Sequence, residues 1–119
     1  MVNPHFGEER RRYPRVYASL PMQFRPIGEF DKLPHDTISR DLSEGGIRFS
    51  VDRFIPVGTK LVVNVLLESH HEPVRSVAKI IWTRKQQYSD NYEVGCQFIN
   101  LSEEARQKIS KFVAHQPPA

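Results

Sequence analysis

From residue 16 to residue 99, apolar side chains recur at every second position in short runs, and a turn signal breaks each run. A two-residue period puts alternate side chains on opposite faces of an extended strand, so that one face can be buried. The runs are residues 16–26, 37–42, 47–51, 60–68, 74–84 and 92–99. Between them lie the Pro34 loop, Ser43 to Gly46, Ile55-Pro56-Val57-Gly58, Ser69-His70-His71-Glu72-Pro73 and Ser89-Asp90-Asn91. Gly, Pro, Asn, Asp and Ser dominate these breaks because each relieves a turn's backbone demands. Six strands on such short connections predict an antiparallel β-barrel, closed or nearly closed.

The alternation also assigns faces. Leu20, Met22 and Phe24 share one, Ile47 and Phe49 another, and Val94, Cys96 and Phe98 a third. Val74, Ala78, Ile80 and Trp82 point one way along residues 74–84, with Val77, Ile81 and Thr83 on the other side. Trp82 is thereby expected in the core or at the barrel rim, and Phe98 on a core face. Pro21 and Pro26 make the first strand either an edge or irregular, since proline cannot donate to the ladder. After the strands, Ser102 reads as an N-cap with Glu103 and Glu104 in the first turn, where carboxylates favour the helix dipole. Ala105, Ile109, Phe112 and Val113 form a stripe at helical spacing, so one helix packs on the barrel.

A chain of 119 residues, 39% hydrophobic and 26% charged, suits one small globular domain. Three regions are expected: a flexible arm over residues 1–9, the barrel domain with its helix over 10–114, and a tail over 115–119. Cys96 is the single cysteine, which forbids an internal disulfide and fits a reducing, cytoplasmic setting. No apolar run approaches the roughly 20 residues that span a bilayer. Net charge is only +3, but Arg10, Arg11, Arg12 and Arg15 are crowded together. Such a cluster attracts a small anion or a phosphate backbone.

Two short signatures carry the chemistry. Arg11-Arg12-Tyr13-Pro14-Arg15 places two guanidiniums four positions apart on a segment stiffened by proline. Asp41-Leu42-Ser43-Glu44-Gly45-Gly46 places a carboxylate, a hydroxyl and two glycines at a strand end. An arginine fork suits phosphate oxygens and the O6/N7 edge of guanine, and a carboxylate suits guanine's N–H donors.

Written as R-x-x-x-R and D-x-S-x-x-G, in that order and ahead of a run of strands, these motifs resemble the PilZ domain family of bacterial cyclic di-GMP receptors. The resemblance runs from about Glu9 to Val113 and includes Val94-Gly95-Cys96-Gln97-Phe98 followed by Leu101-Ser102. It implies a six-stranded antiparallel barrel with a C-terminal α-helix. It also implies that Arg11 and Arg15 grip phosphates and a guanine edge, that Asp41 accepts from guanine N–H groups, and that Ser43 adds a hydroxyl contact. Gly45 and Gly46 complete the strand-end turn, and Gly46 would allow a positive φ or close approach of ligand to backbone. Arg10 stands immediately before the first motif arginine, a placement that in this family accompanies a stacked ligand dimer, so two cyclic di-GMP molecules per domain are expected. The arginine arm is expected to order on the barrel only when ligand neutralises it.

The function implied is a second-messenger receptor, with no enzyme activity, no metal and no cofactor beyond the nucleotide. It would relay its signal by docking on a separate effector protein of the motility or exopolysaccharide machinery. Two alternatives stand beside it: a ligand-independent adaptor of the same fold, and a small basic barrel binding single-stranded nucleic acid. The second needs bases stacked on exposed aromatics, whereas Phe24, Phe49, Trp82 and Phe98 all read as core. Each signature also has a plainer account. Asp41-x-Ser43 could be a turn bonding its own backbone, with Gly45-Gly46 a bulge. His70-His71 reads as loop polarity and Cys96 as a buried small residue. Both Arg15 and Asp41 are taken to be exposed, so that replacing either should barely affect stability.

Overall fold

The computed structural model describes residues 13–29, 31–68 and 71–117. Seven strands precede one helix: β1 (Val16–Tyr17), β2 (Pro21–Pro26), β3 (His35–Leu42), β4 (Gly46–Val51), β5 (Lys60–Val65), β6 (Val74–Lys85), β7 (Tyr92–Ile99) and α1 (Glu103–Ala114). All pairings are antiparallel. Strands β3, β2, β5, β6, β7 and β4 follow one another, and β3 pairs back onto β4 to close the ring. The result is a closed six-stranded barrel with β1 as an extra strand on β3.

That extra strand arises from the first run of alternation. Residues 16–26 do not form one strand but two, both laid along β3: Val16 pairs with Leu42, and Pro21 with Ile38. The gap is stitched by Ser39, which is fully buried. Its hydroxyl donates to the Ala18 carbonyl and accepts from the Leu20 N–H at 2.9 Å. The irregularity expected from Pro21 is therefore present, but β2 is not an edge, because β5 pairs along its other side.

Inside the ring, Phe24, Leu42, Phe49, Leu61, Ile80 and Val94 are almost wholly buried. Ala105, Ile109 and Val113 of α1 join the same core. The Ser102 hydroxyl accepts from the Ala105 N–H at 3.1 Å, capping the helix as its sequence predicts. Among the described residues no helix is long and apolar enough to cross a membrane. His71 Nδ1 lies 2.8 Å from Glu68 Oε2, and His70 lies outside the described residues.

Two bulges set which side chains face outward. One falls in β3 between Ser39 and Asp41, the other in β6 between Ile80 and Trp82. An extra residue on one strand shifts the side-chain alternation beyond it. In β6 the residue absorbed is Ile81. Ile80 pairs with the core residue Cys96, whereas Trp82 pairs with Gly95, which faces away from the core. Trp82 is thus turned out of the barrel, and Thr83, opposite Val94, is turned towards it. Of the two places expected for Trp82, core or barrel rim, the core is thereby ruled out.

Candidate functional site

Register aligns one row of residues across the face opposite the core. Tyr17 on β1 pairs with Asp41 on β3, Asp41 with Arg48 on β4, Arg48 with Gly95 on β7, and Gly95 with Trp82 on β6. The next row joins Ser50, Glu93 and Arg84. A cleft of about 830 Å³ opens along this face, lined among others by Tyr13, Arg15, Asp41, Ser43, Arg48 and Trp82. That is the size of a small-molecule site.

Of the residues singled out from sequence, Arg15, Asp41, Ser43, Gly45 and Gly46 all line this cleft. Arg10 and Arg11 lie outside the described residues. Arg15 stands 3.9 Å from Asp41 through Nε and Oδ2. The anchor is Tyr13. Its ring lies on Gly45, where a Cβ would come within 3.2 Å of Cδ2. Arg106 of α1 donates to the Tyr13 hydroxyl at 3.4 Å and sits 5.7 Å from the ring centroid. Arg106 also approaches Glu44 of the turn at 3.7 Å. Helix, turn and arginine segment are thereby joined at one point.

Asp41 is not the exposed residue the sequence leads one to expect. It is only 3% accessible and is paired with Arg48, whose Nε lies 2.9 Å from Oδ2. Burial raises the Asp41 pKa from its ordinary 3.8; Arg48, then Arg15, act against that rise and Glu93 adds to it. Glu93 is the second buried carboxylate here. Its Oε1 accepts from Arg84 Nη2 at 2.7 Å and from Arg48 Nη1 at 3.3 Å, and Arg40 Nε lies 3.9 Å from Oε2.

The turn between β3 and β4 follows the plainer reading in part. The Ser43 hydroxyl accepts from the N–H groups of Gly45 and Gly46 at 3.0 and 3.3 Å, so it holds its own turn. Its O–H remains available as a donor. The bulge lies upstream at Arg40 and not at the glycines. Gly46 is not at positive φ, the glycines with positive φ among the described residues being Gly28 and Gly58. What requires it is backbone: a Cβ there would stand 2.1 Å from the Cys96 carbonyl oxygen.

Cys96 itself is buried, and desolvation pushes its thiol up to about 12, which leaves it protonated and unreactive at neutral pH.

Sequence reasoning missed Trp82, Arg48 and Glu93 as site residues. The indole lies flat over Gly95, where a Cβ would meet Nε1 at 2.2 Å. Arg84 lies 5.7 Å from the ring centroid. Phe98 lines the cleft but still packs against the core that holds Phe24 and Phe49, so of the four aromatics assigned to core faces only Trp82 is turned out. The pairing of a glycine on one strand with a tryptophan on the next was the available signal, but only the β6 bulge brings them opposite one another. Gly95→Ala should push the indole off its seat. Trp82 is the chain's only tryptophan, so its emission should move to longer wavelength and become more open to acrylamide quenching. An unchanged spectrum would contradict this seat.

The sequence matches the PilZ domain family over residues 9–115. The chain belongs to that family, and its barrel, closing strand pair and C-terminal helix have the same architecture as solved members. The Bacillus subtilis inhibitor of motility MotI/DgrA superposes with a TM-score of 0.74 at 19% identity, over 87% of this chain and 49% of that one. The PilZ domain of Escherichia coli YcgR with c-di-GMP gives 0.65 at 16% identity, over 90% and 91% of the two chains. The K. pneumonia MrkH–c-di-GMP complex gives 0.66 at 15% identity, over 87% and 51%. This chain therefore spans about half the length of MotI/DgrA and of MrkH. No curated protein sequence matches it.

Proposed function

We propose that this chain is a receptor for cyclic di-GMP that acts by binding, without a chemical step, and that signals to a separate effector protein in the cytoplasm. The observation that carries the reading is one cleft combining the buried Asp41 carboxylate, the guanidiniums of Arg15 and Arg48, and the outward-turned indole of Trp82. The YcgR and MrkH structures are complexes with c-di-GMP, which supports the same ligand here.

Each group has a distinct task in this reading. Asp41 accepts from the N1–H and N2–H of a guanine, a pair of donors that adenine does not present. Arg15, with Arg11, takes the O6/N7 edge and the phosphates, a fork geometry lysine cannot reproduce. Trp82 offers a flat face to a purine. The Ser43 O–H donates to a phosphate oxygen. Arg10 adds a further guanidinium for a second, stacked ligand, and ligand draws the residues before Tyr13 onto the barrel to create the surface an effector recognises. Machinery for motility or exopolysaccharide export is the class of effector expected.

Isothermal titration with cyclic di-GMP, against GTP and cyclic GMP, tests the reading. Selective binding with a ratio near two ligands per domain is the expected result; no binding at high micromolar ligand would favour the ligand-independent adaptor. Strong, salt-sensitive binding of a single-stranded oligonucleotide would favour the nucleic-acid alternative.

Acid should weaken binding. Only the ionised Asp41 can accept both guanine donors, and burial has raised the pH at which it protonates above the ordinary aspartate value. The ligand's diesters stay ionised over this range. Affinity should thus begin to fall at a higher pH than an ordinary aspartate would give, and Asp41→Asn should remove this acid limb along with most of the affinity. Titrations repeated from neutral pH down to about pH 4, near the reference value for aspartate, would reveal it.

A further inference from the structure

We propose that Glu93 is the positioning residue of this site, acting on the ligand-binding carboxylate of Asp41 through Arg48. The inference deepens the cyclic di-GMP reading and rests on it only for the ligand-binding arm of the test. Neither motif includes Glu93, which sits on β7, far along the chain from both.

The geometry assigns the role. Glu93 is 6% accessible, an unusual place for a glutamate unless it is paired. Its direct neighbour across the ladder is Arg84, bound at 2.7 Å. Diagonally it holds the Nη1 end of Arg48 at 3.3 Å. The Nε end of the same guanidinium faces Asp41 at 2.9 Å. The guanidinium thus bridges the two carboxylates, Nε towards Asp41 and Nη1 on Glu93. The bond to Glu93 fixes the far end of that bridge. Without it, a guanidinium on a flexible stem, 26% accessible, can swing to solvent and leave Asp41 buried with less countercharge.

The arrangement also explains an acidic residue in a site for an anion. By Coulomb's law alone Glu93 opposes a dianionic ligand. It raises the Asp41 pKa directly as well. Both direct effects have the opposite sign to the positioning effect, so one substitution separates them. The groups facing Asp41 are Arg15 ahead of β1, Tyr17 on β1, Arg48 on β4 and Glu93 on β7. Glu93→Gln keeps the shape and removes the charge.

The test begins without ligand. Carboxyl-carbon NMR titration of Asp41 is compared between wild type and Glu93→Gln. If Glu93 aims Arg48, the Asp41 titration moves to higher pH; a downward or absent shift overturns the proposal. In an Arg48→Gln background the same Glu93→Gln change should shift Asp41 downward, because only the direct charge effect remains. Should Glu93→Gln fail to fold, Glu93→Asp, with the carboxylate withdrawn by one methylene, takes its place with the same expected direction in wild type. The second arm measures cyclic di-GMP affinity. Positioning predicts binding at least about tenfold weaker in Glu93→Gln, as for one misaligned charge-assisted hydrogen bond, whereas plain charge predicts tighter binding. If wild type fails to bind cyclic di-GMP, the functional reading falls while the titration arm still decides the role of Glu93.

Discussion

Asp41→Ala should lose cyclic di-GMP and stability together. In the proposed complex Asp41 makes a bidentate contact to guanine, and a contact of that kind discriminates by about 1–3 kcal/mol, or roughly ten- to a hundredfold in affinity. The effect on stability follows from burial. Removing one member of a fully buried ion pair strands the other charge at a cost of about 3–5 kcal/mol. Arg48 is partly exposed and keeps Glu93 as a partner, so solvent and Glu93 reduce that to about 1–2 kcal/mol. Arg15→Ala should behave differently. Its side chain is 38% accessible and 3.9 Å from Asp41, so affinity should fall while the unfolding midpoint hardly moves. Calorimetric titration and urea unfolding of both variants check this contrast. Asp41→Ala that binds like wild type would remove it from the ligand's contacts, and one that unfolds like wild type would contradict its burial.

Gly46→Ala should be the most damaging of the conservative changes. The new Cβ would stand 2.1 Å from the Cys96 carbonyl oxygen and 3.1 Å from its carbon. Neither atom can move alone, because Cys96 is paired with Ile47 on one side and Ile80 on the other. The β4–β7 seam must open at its start, where Phe98 also donates to the Gly45 carbonyl at 3.0 Å. Overpacking of this kind costs about 1–3 kcal/mol, and rigid backbone puts this case at the upper end. The turn that presents Ser43 and Asp41 would move with it, so ligand affinity should fall as well. Gly45→Ala is the natural comparison: its Cβ would press on the Tyr13 ring at 3.2 Å and merely touch the Ser43 hydroxyl at 3.6 Å, both side chains and not backbone. Urea midpoints should drop markedly for the first and slightly for the second. Equal midpoints would mean that the close approach at Gly46 has been misplaced.

Both results concern residues whose importance could be read early but whose reasons could not. Asp41 and Gly46 stand in a short motif, and the motif marked them. Sequence reading placed Asp41 on the surface because an aspartate at a strand end usually lies there. It could not see that β4 and β7 bring Arg48 and Glu93 beside it. Gly46 was assigned to ligand approach, whereas the space is needed by a neighbouring strand far away in the chain.

The local determinants were legible from order alone. Alternation of apolar residues marked out the strands of the barrel, Ser102 with Glu103 and Glu104 marked the start of α1, and Ala105, Ile109 and Val113 defined its buried face. These depend on near neighbours, and near neighbours are adjacent in sequence. The bulges at Arg40 and Ile81 do not have that property. A strand accommodates an extra residue only in relation to the partner it pairs with, and the shift reverses every face beyond it. That reversal carried Trp82 out of the core to lie over Gly95, and it left Thr83 inside. The six strands of the ring, the helix and the place of the Asp41–Gly46 motif at a strand end were thus legible in the order of residues, while the extra strand β1, the indole wall and the Arg48–Glu93 support of the site exist only because distant strands meet in one register.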